Sequence, residues 1–121
     1  MLTFALADDS VILRSAIKNA LESSGYTVPV ESDNCADLLT KLEKTPVQVV
    51  LLDVLFPNEN GLDVLSEVKK RFPSMKVIIV TGLRQDEILD QAQERGADGV
   101  LYKPFDTDDL LNTVRRLEKN Q

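Results

Sequence analysis

No histidine occurs anywhere in the 121 residues and Cys35 is the only cysteine. No apolar run approaches the roughly 18 residues that a membrane span requires. A lone cysteine excludes a disulfide within the chain and suits a reducing compartment. Basic residues are also in short supply. Fourteen Lys and Arg against 20 Asp and Glu leave a net charge of −6 and a pI near 4.6, which repels the phosphates of nucleic acids and anionic lipids at long range. Direct binding of nucleic acid or of a membrane by this chain is therefore not expected. The Gly-x-Gly-x-x-Gly of a dinucleotide-binding loop is missing too, because Asp8-Asp9-Ser10 follows the first apolar segment. Met1 to Ala7 has no basic n-region and runs directly into two aspartates. It does not read as a secretory signal, and the cytoplasm is the expected location.

What is present is an ordinary globular composition, 43% hydrophobic and 28% charged, at a length that fits one domain spanning residues 1–121. Leu2 to Ala7 reads as a buried strand. From Val11 the period changes, with Leu13, Ala16, Ile17, Ala20 and Leu21 at helical spacing, Ser10 as N-cap and Gly25 as stop. Tyr26 to Val30 is a weak strand that Pro29 assigns to an edge or a bulge. Asp33 or Asn34 caps a helix that turns Cys35, Leu38, Leu39 and Leu42 inward and ends before Pro46. Val47 to Asp53 is the most apolar strand, as expected of a central parallel strand covered on both faces.

Gly61 to Phe72 is a third helix with Leu62, Leu65, Val68 and Phe72 on one stripe, and Lys76 to Thr81 is another buried strand. Asp86 to Arg95 is helical with few apolar residues, only Ile88, Leu89 and Ala92, so it is expected to be among the least firmly held elements. Gly99 to Lys103 forms the last strand. Asp106 to Asp109 then open a final helix with Leu110, Leu111, Val114 and Leu117 inward, ahead of a polar end, Glu118 to Gln121. Five strands alternating with five helices predict an α/β fold with a parallel sheet, doubly wound by right-handed crossovers.

In such a sheet, ligands collect beyond the carboxyl ends of the strands. Those ends are Asp8-Asp9, Asp53, Thr81-Gly82 and Lys103-Pro104. Two unit charges about 5 Å apart cost on the order of 3 kcal/mol at an effective dielectric near 20, so three gathered carboxylates need relief, by protonation of one acid or by a bound cation. Aspartate oxygens without His or Cys suit a hard divalent ion such as Mg²⁺. Lys103 offers a counter-charge to an oxyanion and Thr81 a hydroxyl donor. The set suits stabilisation of a transferring phosphoryl group, with Asp53 as nucleophile.

These residues carry a resemblance to the receiver domain of the two-component response-regulator family. It rests on Ala7-Asp8-Asp9-Ser10 with Arg14 after it, Leu52-Asp53-Val54-Leu55-Phe56-Pro57 with Gly61 following, Val80-Thr81-Gly82, Gly96-Ala97-Asp98-Gly99 and Lys103-Pro104-Phe105, in order across essentially the whole chain. The resemblance implies a flavodoxin-like sheet of order 2-1-3-4-5. It implies phosphorylation of Asp53 by a sensor histidine kinase or histidine phosphotransfer protein, with Mg²⁺ held by Asp8, Asp9, Asp53 and the backbone carbonyl of Leu55. It further implies a cis peptide between Lys103 and Pro104, and a surface of the fourth helix, last strand and fifth helix that rearranges as Thr81 moves toward the phosphate.

Such a chain is a signalling switch and not an enzyme, beyond weak self-phosphorylation from small phosphodonors and autodephosphorylation. Its further partner is a downstream effector protein or a fused output domain, and it is a monomer or a phosphorylation-dependent dimer. One departure concerns the switch itself: Val100 stands where the family often has an aromatic residue or His, and Tyr102, on the same strand face, is the candidate substitute. Leu55 and Leu83, each two residues beyond Asp53 and Thr81, predict slow access of water and a long-lived phosphoryl group.

Two other classes compete. A small Mg²⁺-dependent phosphohydrolase would use the same nucleophile, but Leu55 stands where an acidic partner would be needed and no cap insertion encloses a substrate. A phosphorylation-independent, receiver-like binding module would have lost an acid, the Thr or the Lys, and none is missing. Plainer readings exist for single residues: Asp8 and Asp9 as helix caps, Lys103 as a surface lysine, Cys35 as a small core residue.

Overall fold

The computed structural model describes residues 2–56 and 58–119. Pro57 of the loop after Asp53, and Asn120 and Gln121 of the polar end, lie outside the described residues. In chain order the elements are β1 (Thr3–Ala7), α1 (Val11–Ser23), β2 (Thr27–Ser32), α2 (Cys35–Lys44), β3 (Val49–Asp53), β4 (Leu55–Phe56), β5 (Glu59–Asn60), α3 (Gly61–Arg71), β6 (Lys76–Thr81), α4 (Asp86–Glu94), β7 (Gly99–Tyr102) and α5 (Thr107–Lys119).

Five of the strands form one sheet of order β2-β1-β3-β6-β7, parallel throughout. Counting only those five, this is the order 2-1-3-4-5 of a flavodoxin-like fold. All five residues of β3 are buried, and the reason is visible in the packing. Val50 and Leu52 point into a core with Leu38, Leu42, Leu65, Val68 and Ala92 of α2, α3 and α4. Val49 and Leu51 alternate into a second core with Ile17, Leu21, Leu110 and Val114 of α1 and α5. Each fully buried aliphatic side chain of this kind contributes about 1.5–3 kcal/mol. The continuous apolar run is thus the signature of a strand covered on both faces.

β2 is an edge strand, and Pro29 sits at an irregularity in it. Thr3 pairs with Thr27 and Ala5 with Val30, so β2 carries one extra residue between those pairs. It runs two residues past the expected Val30, because Glu31 and Ser32 continue the pairing with Leu6 and Ala7. Conversely, Val47 and Gln48 precede β3 proper: the Gln48 backbone joins Thr3 and Lys76 across the sheet. Ala16, expected inward on α1, is exposed, which narrows that stripe to Leu13, Ile17, Ala20 and Leu21. Phe72 is the half-buried C-cap of α3 instead of part of its stripe, and Val64 is buried in its place. The two-stranded antiparallel ribbon β4–β5 was not expected.

α3 begins where the chain has no room. A Cβ on Gly61 would collide with the backbone of Asp53 and Val54, and the Gly61 N–H donates to the Val54 carbonyl at 2.6 Å. Glycine here lets the helix start directly beneath the loop that carries Asp53. Among the described residues, no helix is long and apolar enough to cross a membrane.

Candidate functional site

β1 and β6 flank β3, so their carboxyl ends deliver Asp8, Asp53 and Thr81 side by side. β7, paired with β6, brings Lys103 to the same rim through the bond from its N–H to the Thr81 carbonyl (2.8 Å). Asp8, Asp53 and Thr81 are buried, with 5%, 6% and 2% exposure, whereas Asp9 faces solvent. One carboxylate oxygen from each of Asp8, Asp9 and Asp53 lies within 4.8 Å of the others.

The repulsion anticipated among these acids is met by a device that strand-end reasoning did not assign. Lys103 Nζ stands 3.3 Å from Asp8 Oδ2 and 3.3 Å from Asp53 Oδ2, bridging the two buried carboxylates. The remaining oxygens face the backbone: Ser10 N–H donates to Asp8 Oδ1 at 2.8 Å, and Leu55 N–H donates to Asp53 Oδ1 at 3.2 Å. Burial raises the pKa of Asp53, and the neighbouring Asp8 charge adds to it. The Leu55 N–H and the Lys103 ammonium pull the other way. Asp53 is therefore held between opposing electrostatic influences at the mouth of the sheet.

The donor chemistry matches a hard divalent cation. Three carboxylates converge, no His or Cys joins them among the described residues, and one cationic side chain is too little to neutralise three acids. Arg14 closes the rim beneath, donating from a guanidinium N–H to the Asp8 carbonyl, with Nε 3.4 Å from Glu31 Oε1.

Thr81 Oγ1 accepts the Leu83 N–H at 2.9 Å, which ties the threonine to the loop leading into α4. Val100 and Tyr102 both line a narrow apolar crevice with Thr81, Ile88 and Leu89, so they share a face of β7, and Tyr102 is paired directly with Thr81. The Arg84 guanidinium lies 4.4 Å from the centroid of the Tyr102 ring, a cation–π contact. No spacing rule in the sequence pointed to Arg84, since its partner is reached only through the sheet. Leu55 is 61% exposed at the rim and Leu83 is half-buried. The Lys103–Pro104 peptide is cis. Cys35 is half-buried against the α2–α3 core, with its thiol pKa raised chiefly by burial.

The response regulator receiver domain family matches the chain across residues 4–115. The chemotaxis protein CheY of Listeria monocytogenes is 29% identical over 98% of this chain and 100% of that protein. The DNA-binding transcriptional regulator NtrC of Rhizobium meliloti is 32% identical over 94% of this chain, which corresponds to 23% of that protein. Among solved structures, a CheY-like response regulator receiver domain protein of Methanospirillum hungatei JF-1 superposes with a TM-score of 0.90 at 28% identity, covering 100% of this chain and 99% of that one. The chemotaxis protein CheY4 of Vibrio cholerae gives a TM-score of 0.91 at 26% identity, covering 97% and 98%.

Proposed function

The chain belongs to the response regulator receiver domain family, and from that premise we propose that residues 1–121 form one receiver unit in which Asp53 is the phosphoacceptor of a cytoplasmic two-component phosphorelay. The observation that carries this reading is the Lys103 ammonium shared between the buried Asp8 and Asp53 carboxylates. It holds a counter-charge where phosphoryl oxygens would arrive, and it keeps Asp53 oriented while it waits.

In the transfer, an Asp53 carboxylate oxygen forms a bond to phosphorus. The bond from phosphorus to the donor's imidazole nitrogen breaks, and the leaving nitrogen keeps the electron pair. Lys103 exchanges its bond to Asp53 for one to a phosphoryl oxygen, and the Thr81 hydroxyl turns from Leu83 N–H to donate to another. Asp8, Asp9, Asp53 and the Leu55 carbonyl would hold Mg²⁺, which supplies further positive charge for the phosphoryl oxygens. The donor is a sensor histidine kinase or histidine phosphotransfer protein. The response is a shift in the face made by α4, β7 and α5, biased by contacts that exist only with the phosphoryl group present. Its reader is an effector protein or a fused output domain.

Incubation with Mg²⁺ and acetyl phosphate, followed by intact mass measurement, tests the reading. One phosphoryl mass is expected on the wild type and none on Asp53→Asn, and an unmodified wild type would refute the proposal. Leu55, exposed at the rim, and the half-buried Leu83 are apolar where a hydrolytic water would approach, which supports slow loss of the phosphoryl group. The phosphorylated form is accordingly expected to persist for minutes or longer after the donor is removed. A half-time of seconds would remove that expectation, as would an unchanged lifetime in Leu55→Asp.

A further inference from the structure

The chain carries −6 net charge with 14 cationic side chains, and most of those cations are engaged in ion pairs. Among the described residues, only Lys44, Lys70, Arg84, Arg115, Arg116 and Lys119 have no carboxylate within pairing distance. Four of the six stand on one face. Arg84 and Arg116 border a depression of about 310 Å³ between β7 and α5, and Arg115, Arg116 and Lys119 border a second of about 550 Å³ along α5. Arg116 is common to both, so the two run together.

Three acids near this face direct their bonds to other groups, and one of them, Asp109, itself lines the first depression. Asp109 accepts the Asp106 N–H at 3.2 Å, Glu118 accepts the Tyr26 hydroxyl at 2.9 Å, and Asp98 holds Lys69 at 2.8 Å. Four cations with no pairing carboxylate among the described residues, against Asp109 as the one acid lining the two depressions, give this face a local excess of positive charge on a negative body. We propose that this face, Arg84 with Arg115, Arg116 and Lys119, docks an acidic, carboxylate-bearing segment of a partner protein. The inference rests on the reading that the α4–β7–α5 face delivers the output, and it adds the chemistry of what is delivered to. Nucleic acid is disfavoured because the rest of the molecule repels its continuous phosphate charge, whereas a short acidic segment senses mainly the local patch within a Debye length of about 8 Å. Arg84 stacks on Tyr102, next in sequence to Lys103, which gives the acid rim a physical route to one corner of the patch.

The test uses the full chain and a fluorescein-labelled peptide of alternating Glu and Leu, read by anisotropy and by amide chemical shifts. The expected result is binding that weakens with added salt, shifts confined to β7, α5 and the Arg84 loop, and a loss of affinity of roughly tenfold in Arg116→Glu/Lys119→Glu. The proposal is overturned by any of several results: equal binding of the matching Lys-Leu peptide, equal binding of a DNA duplex, full affinity in the charge-reversed variant, shifts mapping to the acid rim, or sedimentation showing a second copy of the chain covering this face. Acetyl phosphate labelling of the same variant separates the two readings. Uptake at Asp53 without peptide binding refutes only the docking surface, whereas peptide binding without uptake in the wild type refutes only the phosphoacceptor.

Discussion

α3 and α4 lie next to each other on the same face of the sheet, and they are built very differently. α3 buries Gly61, Leu62, Val64, Leu65 and Val68 and is capped by Asn60, whose side chain accepts the Leu62 N–H at 2.9 Å. α4 buries only Ala92, and its N-cap, Gln85, makes no side-chain hydrogen bond. The two are joined at the C-terminal end of α4, where Arg95 meets Asp63 at 2.8 Å. α3 starts beneath Asp53, while α4 follows Thr81. Asp53 therefore sits against the start of a firmly anchored helix and Thr81 leads into a loosely anchored one. A two-state response needs an element whose alternative arrangement lies within a few kcal/mol, and of these two helices α4 is the more thinly anchored.

The strongest way to break the comparison is to truncate one apolar side chain in each helix. Leu65→Ala removes a fully buried leucine and is expected to cost about 2–5 kcal/mol of unfolding free energy. Ile88→Ala on α4 truncates a half-buried isoleucine and is expected to cost about 1 kcal/mol. Urea titration with unchanged m-values measures both. Equal losses would mean that α4 is anchored as firmly as α3, and amide protection of α4 matching that of β3 would say the same.

A smaller contrast lies in the caps. Asn60→Ala is expected to cost about 1 kcal/mol, because the Leu62 N–H loses its acceptor. Gln85→Ala should change stability negligibly, since nothing is lost, and Gln85→Asp should stabilise α4 by supplying the missing acceptor and a charge at the positive end of its dipole. If stabilising α4 in this way left its amide exchange unchanged, thin anchoring at the N-terminus would not be what sets its protection.

Much of this contrast is legible in the sequence, for physical reasons. The run Val49–Asp53 can only be a doubly covered strand, and the apolar stripe of α3 is dense while that of α4 is sparse, so the order of firmness follows from side-chain counts. The convergence of Asp8, Asp9, Asp53, Thr81 and Lys103 follows from topology, because a parallel doubly wound sheet sends all its carboxyl ends one way. Less was readable where two elements distant in sequence meet. The bridging of Asp8 and Asp53 by Lys103 depends on side-chain reach across the rim, between partners 95 and 50 positions apart in sequence. The Arg84–Tyr102 contact depends on the register between β6 and β7. The β4–β5 ribbon has strands of two residues, too short for any periodicity to register. Ala16 misled because alanine suits either face of a helix.

The smallest expected effect concerns Asp53 itself and asks whether the firm half of the molecule holds its acid at a cost. Burial and the Asp8 charge raise its pKa, while Leu55 N–H and Lys103 offset part of the rise. The sign follows from linkage. A carboxyl group whose folded pKa lies above its unfolded value of about 3.9 destabilises the fold while ionised. That penalty is fully present above the folded pKa, shrinks as pH falls through it, and is gone below the unfolded value. Asp53→Asn is therefore expected to melt slightly higher than the wild type near pH 7, with the two melting temperatures converging as the pH approaches about 4. Added Mg²⁺ should close the gap from the other side, because a ligand that binds the folded wild type stabilises it by mass action and the amide would bind it less well. A difference that stays constant with pH would trace the effect to packing instead of charge. The acid rim would then be as relaxed as the α3 core beneath it.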